Sequence, residues 1–564
     1  MFDDENLVSC AGLVPVMALA EQAGLSELMS SKVAITTTRV ASAAANPAGK
    51  LTSIIAGMAA GADSIDDLDV IRSGGMPRLF GGVYACSTLG QFLREFTHGH
   101  TRQLASVARA HLVNLVERSG GLPGIEEQVF IDIDSLLRPV FGHTKQGASF
   151  GHTKIAGRQV LRMGLSPLAT TISTGEGAPL VAGIRLRAGR AGLGKGAASM
   201  VREAIATVRA AGANGQILLR GDSAYGNSAV VDACLQAGVG FSVVLIKNRA
   251  VNRAIATITD DAWTPVHYPG AVVDPDTGEL ISDAEVAEVA FTAFASTKHP
   301  VTARLVVRRV RDRAKLAELF PVWRFHPFFT NSTESTVAAD LTHRRHASIE
   351  TVFADLIDGP LAHLPSARFA ANSAWAICAA ITHNLLRAAG TLTGPRHAVA
   401  RGATLRRQTV TVPARLAQPQ RRRVLHLPEH WPWADRWTDL WRNVFGPRHR
   451  ATDPRVTINY QPHAAPTGDH PWNSWANQQV DHAATPPTTT TTKSASQNRL
   501  VHGSRLRAVH RAARLSLQRP IRALPFAIAR GRPGDAAHHC PQGIRLTSAR
   551  FHLSHRIVVV SGVH

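Results

Sequence analysis

Between residues 128 and 246 short apolar runs of strand length alternate with stretches of helical period, and this ordering restricts the fold more than any other property of the chain. The first run is Val129-Phe130-Ile131-Asp132-Ile133, and Gln159 to Ser173 and Leu180 to Leu186 read as the second and third strands. A helix is expected over Ala197 to Ala211, a strand over Gln216 to Leu219, a helix over Ser228 to Ala237 and a strand over Phe241 to Ile246. The order β-β-β-α-β-α-β predicts an α/β fold, a mixed sheet flanked by helices.

Two of these strands end on aspartate. Asp134 follows the first run, and Asp222 follows Ile217-Leu218-Leu219-Arg220-Gly221. A third acidic residue lies far along the chain. Over residues 343–356 the apolar residues Ile349, Val352, Phe353 and Leu356 recur at i, i+3, i+4 and i+7, which predicts one helix with Glu350 at the edge of its packed stripe. Three carboxylates on separate elements can hold two divalent cations roughly 4 Å apart, the arrangement that phosphodiester cleavage at neutral pH exploits. Mg²⁺, with Mn²⁺ as a substitute, suits such oxygen donors because it keeps several waters and needs few protein ligands. Asp132 and Asp134 are two apart on one strand and share a face, so either can be the first ligand; Asp134, nearer the strand end, is preferred.

The rest of the chain divides by pattern. Residues 1–126 read as helices with Gly-rich joints, over Leu13 to Leu28, Gly49 to Ala62, Ser87 to Phe96 and Arg102 to Arg118, equally suited to a DNA-reading helix-turn-helix and to a helical packing domain. After the core's first part at 127–246, residues 247–335 form a β-rich insertion, with runs at Val289 to Phe294, Val301 to Val310 and Val322 to Phe325. Residues 336–390 resume the core, with the Glu350 helix and a buried helix over Ala370 to Ala389. Residues 391–446 carry β-like stretches, Leu405 to Val412 and Arg421 to Leu427, then a helix with Trp431, Trp433, Trp437 and Trp441. From 447 to 564 no period remains, and this low-complexity tail is expected to be disordered.

Charge points to the partner. The formal net charge is +21 and the pI near 10.9, which favours a polyanion such as double-stranded DNA. Residues 491–564 alone hold 13 Lys and Arg against one acid, Asp535, so part of the excess belongs to the tail. Five scattered cysteines without a CxxC pair fit a reducing cytoplasm. The acidic start Met1-Phe2-Asp3-Asp4-Glu5 is unlike a signal peptide, and no apolar run predicts a membrane span.

The three acidic segments together resemble a known family. His343 to Ile357 is similar to the Y-R-E-K signature of bacterial DDE insertion-sequence transposases, matching it at Arg344, Ile349, Glu350, Phe353 and Leu356. Ile131-Asp132-Ile133-Asp134-Ser135 and Arg220-Gly221-Asp222-Ser223-Ala224-Tyr225 resemble the family's first and second Asp segments. Ala59 to Leu68, Ile71-Arg72 and Ser87-Thr88-Leu89 look like the N-terminal region of the insertion-sequence group numbered thirteen-eighty. The resemblance implies a ribonuclease H-like core with catalytic Asp134, Asp222 and Glu350, and a homodimer that pairs terminal inverted repeats. It also implies metal-dependent strand cleavage and transfer of the freed 3′-OH into target DNA, in a bacterial, nucleoid-associated cytoplasmic setting. His343 stands where the signature has Tyr, His346 where it has Arg, and Ile357 where it has Lys. His343, Arg344, Arg345 and His346 are therefore the candidate contacts to transposon-end phosphates.

Other motifs carry rival readings. His143-Thr144-Lys145 and His152-Thr153-Lys154 lack ligand-pair spacing, so phosphate contact through Lys145 and Lys154, or plain exposure, is favoured over metal binding. Trp323 is the insertion's candidate for stacking a flipped DNA base, as in related transposases that form a DNA hairpin, although packing in a β core is the commoner use of such a residue. Gly189 to Lys195 has the GxxxxGK spacing of a phosphate-binding loop, but Gly196 replaces the hydroxyl residue that would hold Mg²⁺ in an NTPase. A catalytically decayed DNA-binding repressor is the remaining alternative, and metal-dependent cleavage separates it from an active enzyme.

Overall fold

The computed structural model describes residues 1–446 apart from 37–43, 81–82, 143, 156–157, 193, 267–283, 312–321 and 420–422, and beyond 446 only Val456–Thr457. The tail expected from 447 otherwise lies outside the described residues.

The chain opens with helices α1 (Leu13–Gln22), α2 (Leu25–Lys32), α3 (Pro47–Ala60), α4 (Cys86–Arg94) and α5 (His98–Ser119). The single helix expected over Leu13 to Leu28 is two, because Gly24 adopts a left-handed conformation (φ +76°) that breaks the hydrogen-bond ladder there. Helix α4 starts from Ala85 without a side-chain cap.

Next come β1 (Gln128–Ser135), β2 (Arg138–Pro139), β3 (Ser149–Ile155), β4 (Arg158–Leu165), β5 (Leu168–Ser173), β6 (Leu180–Arg185), α6 (Ala197–Ala210), β7 (Gln216–Gly221), α7 (Ser228–Gln236) and β8 (Gly240–Val244). The expected second strand over Gln159 to Ser173 is thus β4 and β5, which belong to different sheets. Strand β5 pairs antiparallel with β1, while β7 lies parallel to β1 and β8 parallel to β7. The β1 residues Val129, Ile131 and Ile133 are buried on one face and Phe130 and Asp132 on the other, as a central strand covered on both sides requires. Helix α6 turns Ala197, Met200, Val201, Ala204, Ile205 and Val208 inward, a stripe at helical spacing.

After α8 (Arg249–Ala256), strands β9 (Ala284–Ala293), β10 (Val301–Arg311) and β11 (Trp323–Thr330) extend the main sheet, for β11 pairs antiparallel with β8 at Phe328↔Val244, Phe329↔Val243 and Thr330↔Ser242. With the short edge strand Thr264–Pro265 the order is Thr264–Pro265, β9, β10, β11, β8, β7, β1, β5, β6.

The helix expected over residues 343–356 is interrupted. Helix α9 (Thr336–Arg344) passes through a 3₁₀ turn at Arg345–Ala347 into α10 (Ser348–Ile357), and this places Glu350 in a first turn instead of mid-helix. The apolar stripe holds: Ile349, Val352, Phe353 and Leu356 are all buried.

Helix α11 (Phe369–Thr393) is buried nearly all round, the signature of a helix at the centre of a large core. It packs against α3, α5 and β6. The Asn384 side chain accepts from the Val181 N–H and donates to the Val181 carbonyl, both at 2.8 Å, so the open edge of β6 is capped by the helix. Leu405 to Val412, expected as a strand, is helical, with Gly402–Leu405 running into a π-helical turn at Arg406–Val410. Leu405, Thr409 and Val410 fall on one side of that turn and are buried. The Trp-rich helix α12 (Ala434–Phe445) buries Trp437 and Trp441, whose rings stack at 5.1 Å.

Candidate active site

Parallel register brings the first two acidic residues together. Asp132 lies opposite Arg220 and Ile133 opposite Gly221, so the next residue pair off the sheet comprises Asp134 at the end of β1 and Asp222 just beyond β7. Helix α10 packs on β1 and carries Glu350, the exposed third carboxylate.

Asp134 reports the result electrostatically. Its carboxyl is pushed up to about 7, first by burial, then by the like charge of Asp222, with Glu350 adding in the same sense; the Ser135 N–H, donating at 2.6 Å, and the Arg187 guanidinium oppose the shift. Asp222 Oδ1 accepts from the Ala224 N–H at 2.9 Å, which fixes the turn after β7.

Two residues before each of these carboxylates stands a member of a buried clamp. Arg220 donates to both Asp132 oxygens at 2.7 and 2.8 Å, and Ser348 Oγ donates to Asp132 Oδ2 at 2.9 Å. The third Arg220 contact runs to the Thr342 carbonyl at 2.9 Å, and its guanidinium lies 4.3 Å from the Phe130 ring centroid. With side chains only 1–2% exposed, Asp132 and Arg220 join β1, β7, α9 and α10 at one point. Asp132, expected as an alternative metal ligand, spends both oxygens inside this clamp. Its neighbour Asp134, one pleat further on, faces the acidic pair.

Sequence reasoning missed Tyr225 and Arg187. Tyr225 is fully buried, and burial raises its pKa, with Asp134 and Asp222 acting in the same direction and Ser135 and Arg187 opposing. Arg187 is buried, donates to the Ser166 carbonyl, and is the cation whose charge reaches Asp134. Tyr225, three residues after Asp222 in the second Asp segment, had that proximity as its signal, whereas Arg187 belongs to no pattern and only the fold brings it to the acidic residues.

The expected phosphate contacts divide. His343 is corrected: it is buried, shares a 2.8 Å hydrogen bond with Ser242 Oγ, and stacks on Phe328 with ring centroids 4.2 Å apart. Burial holds its pKa well below the ordinary value, so it stays neutral and internal. His346 is half-buried, with Nδ1 2.6 Å from the His343 carbonyl. Arg345 is exposed and Arg344 partly so. Lys145 donates to the Leu364 and Ser366 carbonyls at 3.0 and 3.1 Å, tying two loops together. His152 is exposed, whereas His143 and the Lys154 side chain lie outside the described residues. Trp323 is half-buried, and the Arg309 guanidinium packs between its ring and that of Trp263, 4.4 and 4.3 Å from the two centroids. One face of Trp323 is therefore already occupied within the sheet extension.

The phosphate-loop reading fails on packing. A Cβ on Gly189 would lie 2.2 Å from the Ser149 carbonyl oxygen and 2.4 Å from that of Gly164, so this glycine serves close backbone approach.

Residues 1–446 match the family model described as transposase DDE domain group 1. The chain belongs to this DDE transposase family. The transposase is thus an enzyme of DNA transposition, from a family that cleaves DNA and transfers the strand. No curated protein matches it. Among solved structures it is similar to one titled as the piggyBac transposase synaptic complex with hairpin DNA, at 10% identity over 84% of this chain and 87% of that one, with a TM-score of 0.36. No helix among the transposase's described residues is long and apolar enough to cross a membrane.

Proposed function

We propose that the transposase works through Asp134, Asp222 and Glu350 as its three catalytic carboxylates. The observation that carries this is the raised pKa of Asp134, which feels both other acids although they come from two further elements. Members of the family generally depend on divalent metal, and the donor set suits Mg²⁺ or Mn²⁺: hard carboxylate oxygens whose mutual repulsion a cation relieves. Asp134, Asp222 and Glu350 are the residues that would hold the ions, although among the described residues no three acidic, His or Cys side chains close on a single point. Bound there, the ions would activate water or a 3′-OH and neutralise charge on the scissile phosphate.

The protein's own contribution is placement. The Asp132–Arg220–Ser348 clamp holds the three carboxylate-bearing backbones in fixed relation, and Asp134 must give up its proton before it can serve as a ligand. The strand order β1, β5, β6, α6, β7, α7, β8, followed by α10, supports a ribonuclease H-like core with strands β9 to β11 inserted between the second and third acids. The reading extends to a homodimer that pairs terminal inverted repeats and to the bacterial Y-R-E-K class, with Arg344 and Arg345 as the phosphate contacts in place of His343.

The test is Mg²⁺-dependent cleavage of a DNA fragment carrying the gene's own flanks. Cleavage at a repeat boundary that Asp222→Ala abolishes is the expected result. Binding without cleavage in Mg²⁺ and Mn²⁺ alike would favour the repressor reading instead.

A further inference from the structure

Between Ser135 and Leu168, which pair across β1 and β5 at the carboxylate end of the main sheet, the chain leaves to build a separate three-stranded sheet in the order β2-β4-β3. The first strand of this excursion, β2, begins four residues after Asp134. Its root is held firmly. Arg138 donates to the Ala362 carbonyl at 2.6 Å, Lys145 to the carbonyls of Leu364 and Ser366, and the Arg190 N–H to Ser149 Oγ at 2.8 Å. On the inner face Gly151, Gly164 and Gly189 let backbones meet: a Cβ on Gly151 would lie 2.5 Å from the Gly189 carbonyl oxygen, and one on Gly164 2.5 Å from that of Arg138.

The outer face is the opposite in character. Strand alternation and the register Phe150↔Met163 and His152↔Leu161 put these four side chains together on one side. Phe150 is 60% exposed, Leu161 56% and Met163 39%. Among the described residues nothing covers these apolar side chains, which are otherwise costly to leave in water. Nor is the element merely apolar: residues 138–165 hold five Lys and Arg and no Asp or Glu, with His152 exposed on this face and Arg162 exposed on the opposite one.

We infer that this hairpin face is a DNA-contact surface of the transposase, seating the strand next to the phosphodiester presented to Asp134. An acid-free basic element repels nothing on a polyanion, and exposed Phe, Leu and Met side chains pack on base faces and sugars where the duplex is opened. A rigid root delivers that contact at a fixed offset from the carboxylates. The inference rests on the proposed catalytic site, because only that site makes the end of the sheet the place where DNA is cut.

The experiment uses the full chain and a duplex spanning the gene's flanking repeat. Binding is read in Ca²⁺ and cleavage in Mg²⁺ for the wild type, for Phe150→Ser/Leu161→Ser and for Asp222→Ala, with circular dichroism and thermal unfolding to confirm that each folds. The hairpin variant is expected to bind about tenfold more weakly. A photo-crosslinking residue at position 150 is expected to join the protein to DNA bases beside the cut. Unchanged affinity with no crosslink to DNA overturns the inference, and so does a crosslink to a second protein copy with a lowered sedimentation coefficient for the variant, which would make the face an interface between copies. Asp222→Ala separates the two levels: cleavage that survives it refutes the catalytic assignment, whatever the hairpin result.

Discussion

At the scale of single residues, the acidic pair at the sheet end behaves as a proton-linked cost that a cation removes. Asp134 sits near 7 in the folded protein, above the ordinary carboxylate value, so the folded chain retains a proton that the unfolded chain releases. The cost to stability is absent below about pH 4, grows as pH rises through the window to about 7, and is complete above it. Asp134→Asn should therefore stabilise the metal-free protein at pH 8, by up to about 4 kcal/mol, and leave it nearly unchanged at pH 4. Thermal unfolding in a chelator at the two pH values checks this. Asp132 makes the opposite prediction. Asp132→Ala would strand the buried Arg220 guanidinium and destabilise by about 3–5 kcal/mol. The loss should be the same with and without Mg²⁺, whereas replacing a metal ligand would abolish the stabilisation that Mg²⁺ confers. Denaturant unfolding with and without the ion distinguishes the two roles. In the sequence, Asp132 and Asp134 were equivalent by type and by face. What separated them was the cross-strand neighbour, Arg220, which no local pattern reveals.

At the scale of elements, helices and strands with a strong period were legible, and their breaks were not. The stripe Ile349, Val352, Phe353, Leu356 read correctly as one packed face, but the 3₁₀ turn at Arg345–Ala347 depends on burying His343 against Phe328 and on drawing Ser348 onto Asp132. The stretch Gln159 to Ser173 read as one strand because β4 and β5 are both rich in β-branched and apolar residues; only pairing assigns them to different sheets. The stretch from Gly189 to Lys195 looked like a phosphate cradle, and its first glycine, Gly189, proved to be a packing site. Gly189→Ala should accordingly shift the hairpin root and destabilise by about 1–3 kcal/mol, while Lys195→Ala leaves DNA cleavage intact. A thermal melt of the first variant and a cleavage assay of the second check this, and loss of cleavage in Lys195→Ala would restore the NTPase alternative.

At the scale of the whole molecule, helix α11 packs against the N-terminal helices and β6, so one apolar core joins the helical region to the outer strands of the sheet, while the central strands share a second core with α6 and α7. Removing everything after His463 keeps Val456–Thr457, which pairs with Val424 and Leu425, and should leave the thermal transition of the remainder in place. It also deletes most of the basic tail, so DNA affinity should fall and the slope of log affinity against log salt become shallower, as measured by titration at several ionic strengths.

By itself the sequence determined the α/β class and the DDE transposase family, because these rest on periodicity and on short motifs that need no distant partner. Tertiary structure alone decided which aspartate is clamped and which faces its acidic neighbours, that His343 is internal, that the segment after β8 extends the main sheet, and that Arg187 reaches the site. Each of those outcomes depends on residues tens to hundreds of positions apart meeting across strands or against a helix, and the cost of burying a charge or a ring is settled only when its partner is in place.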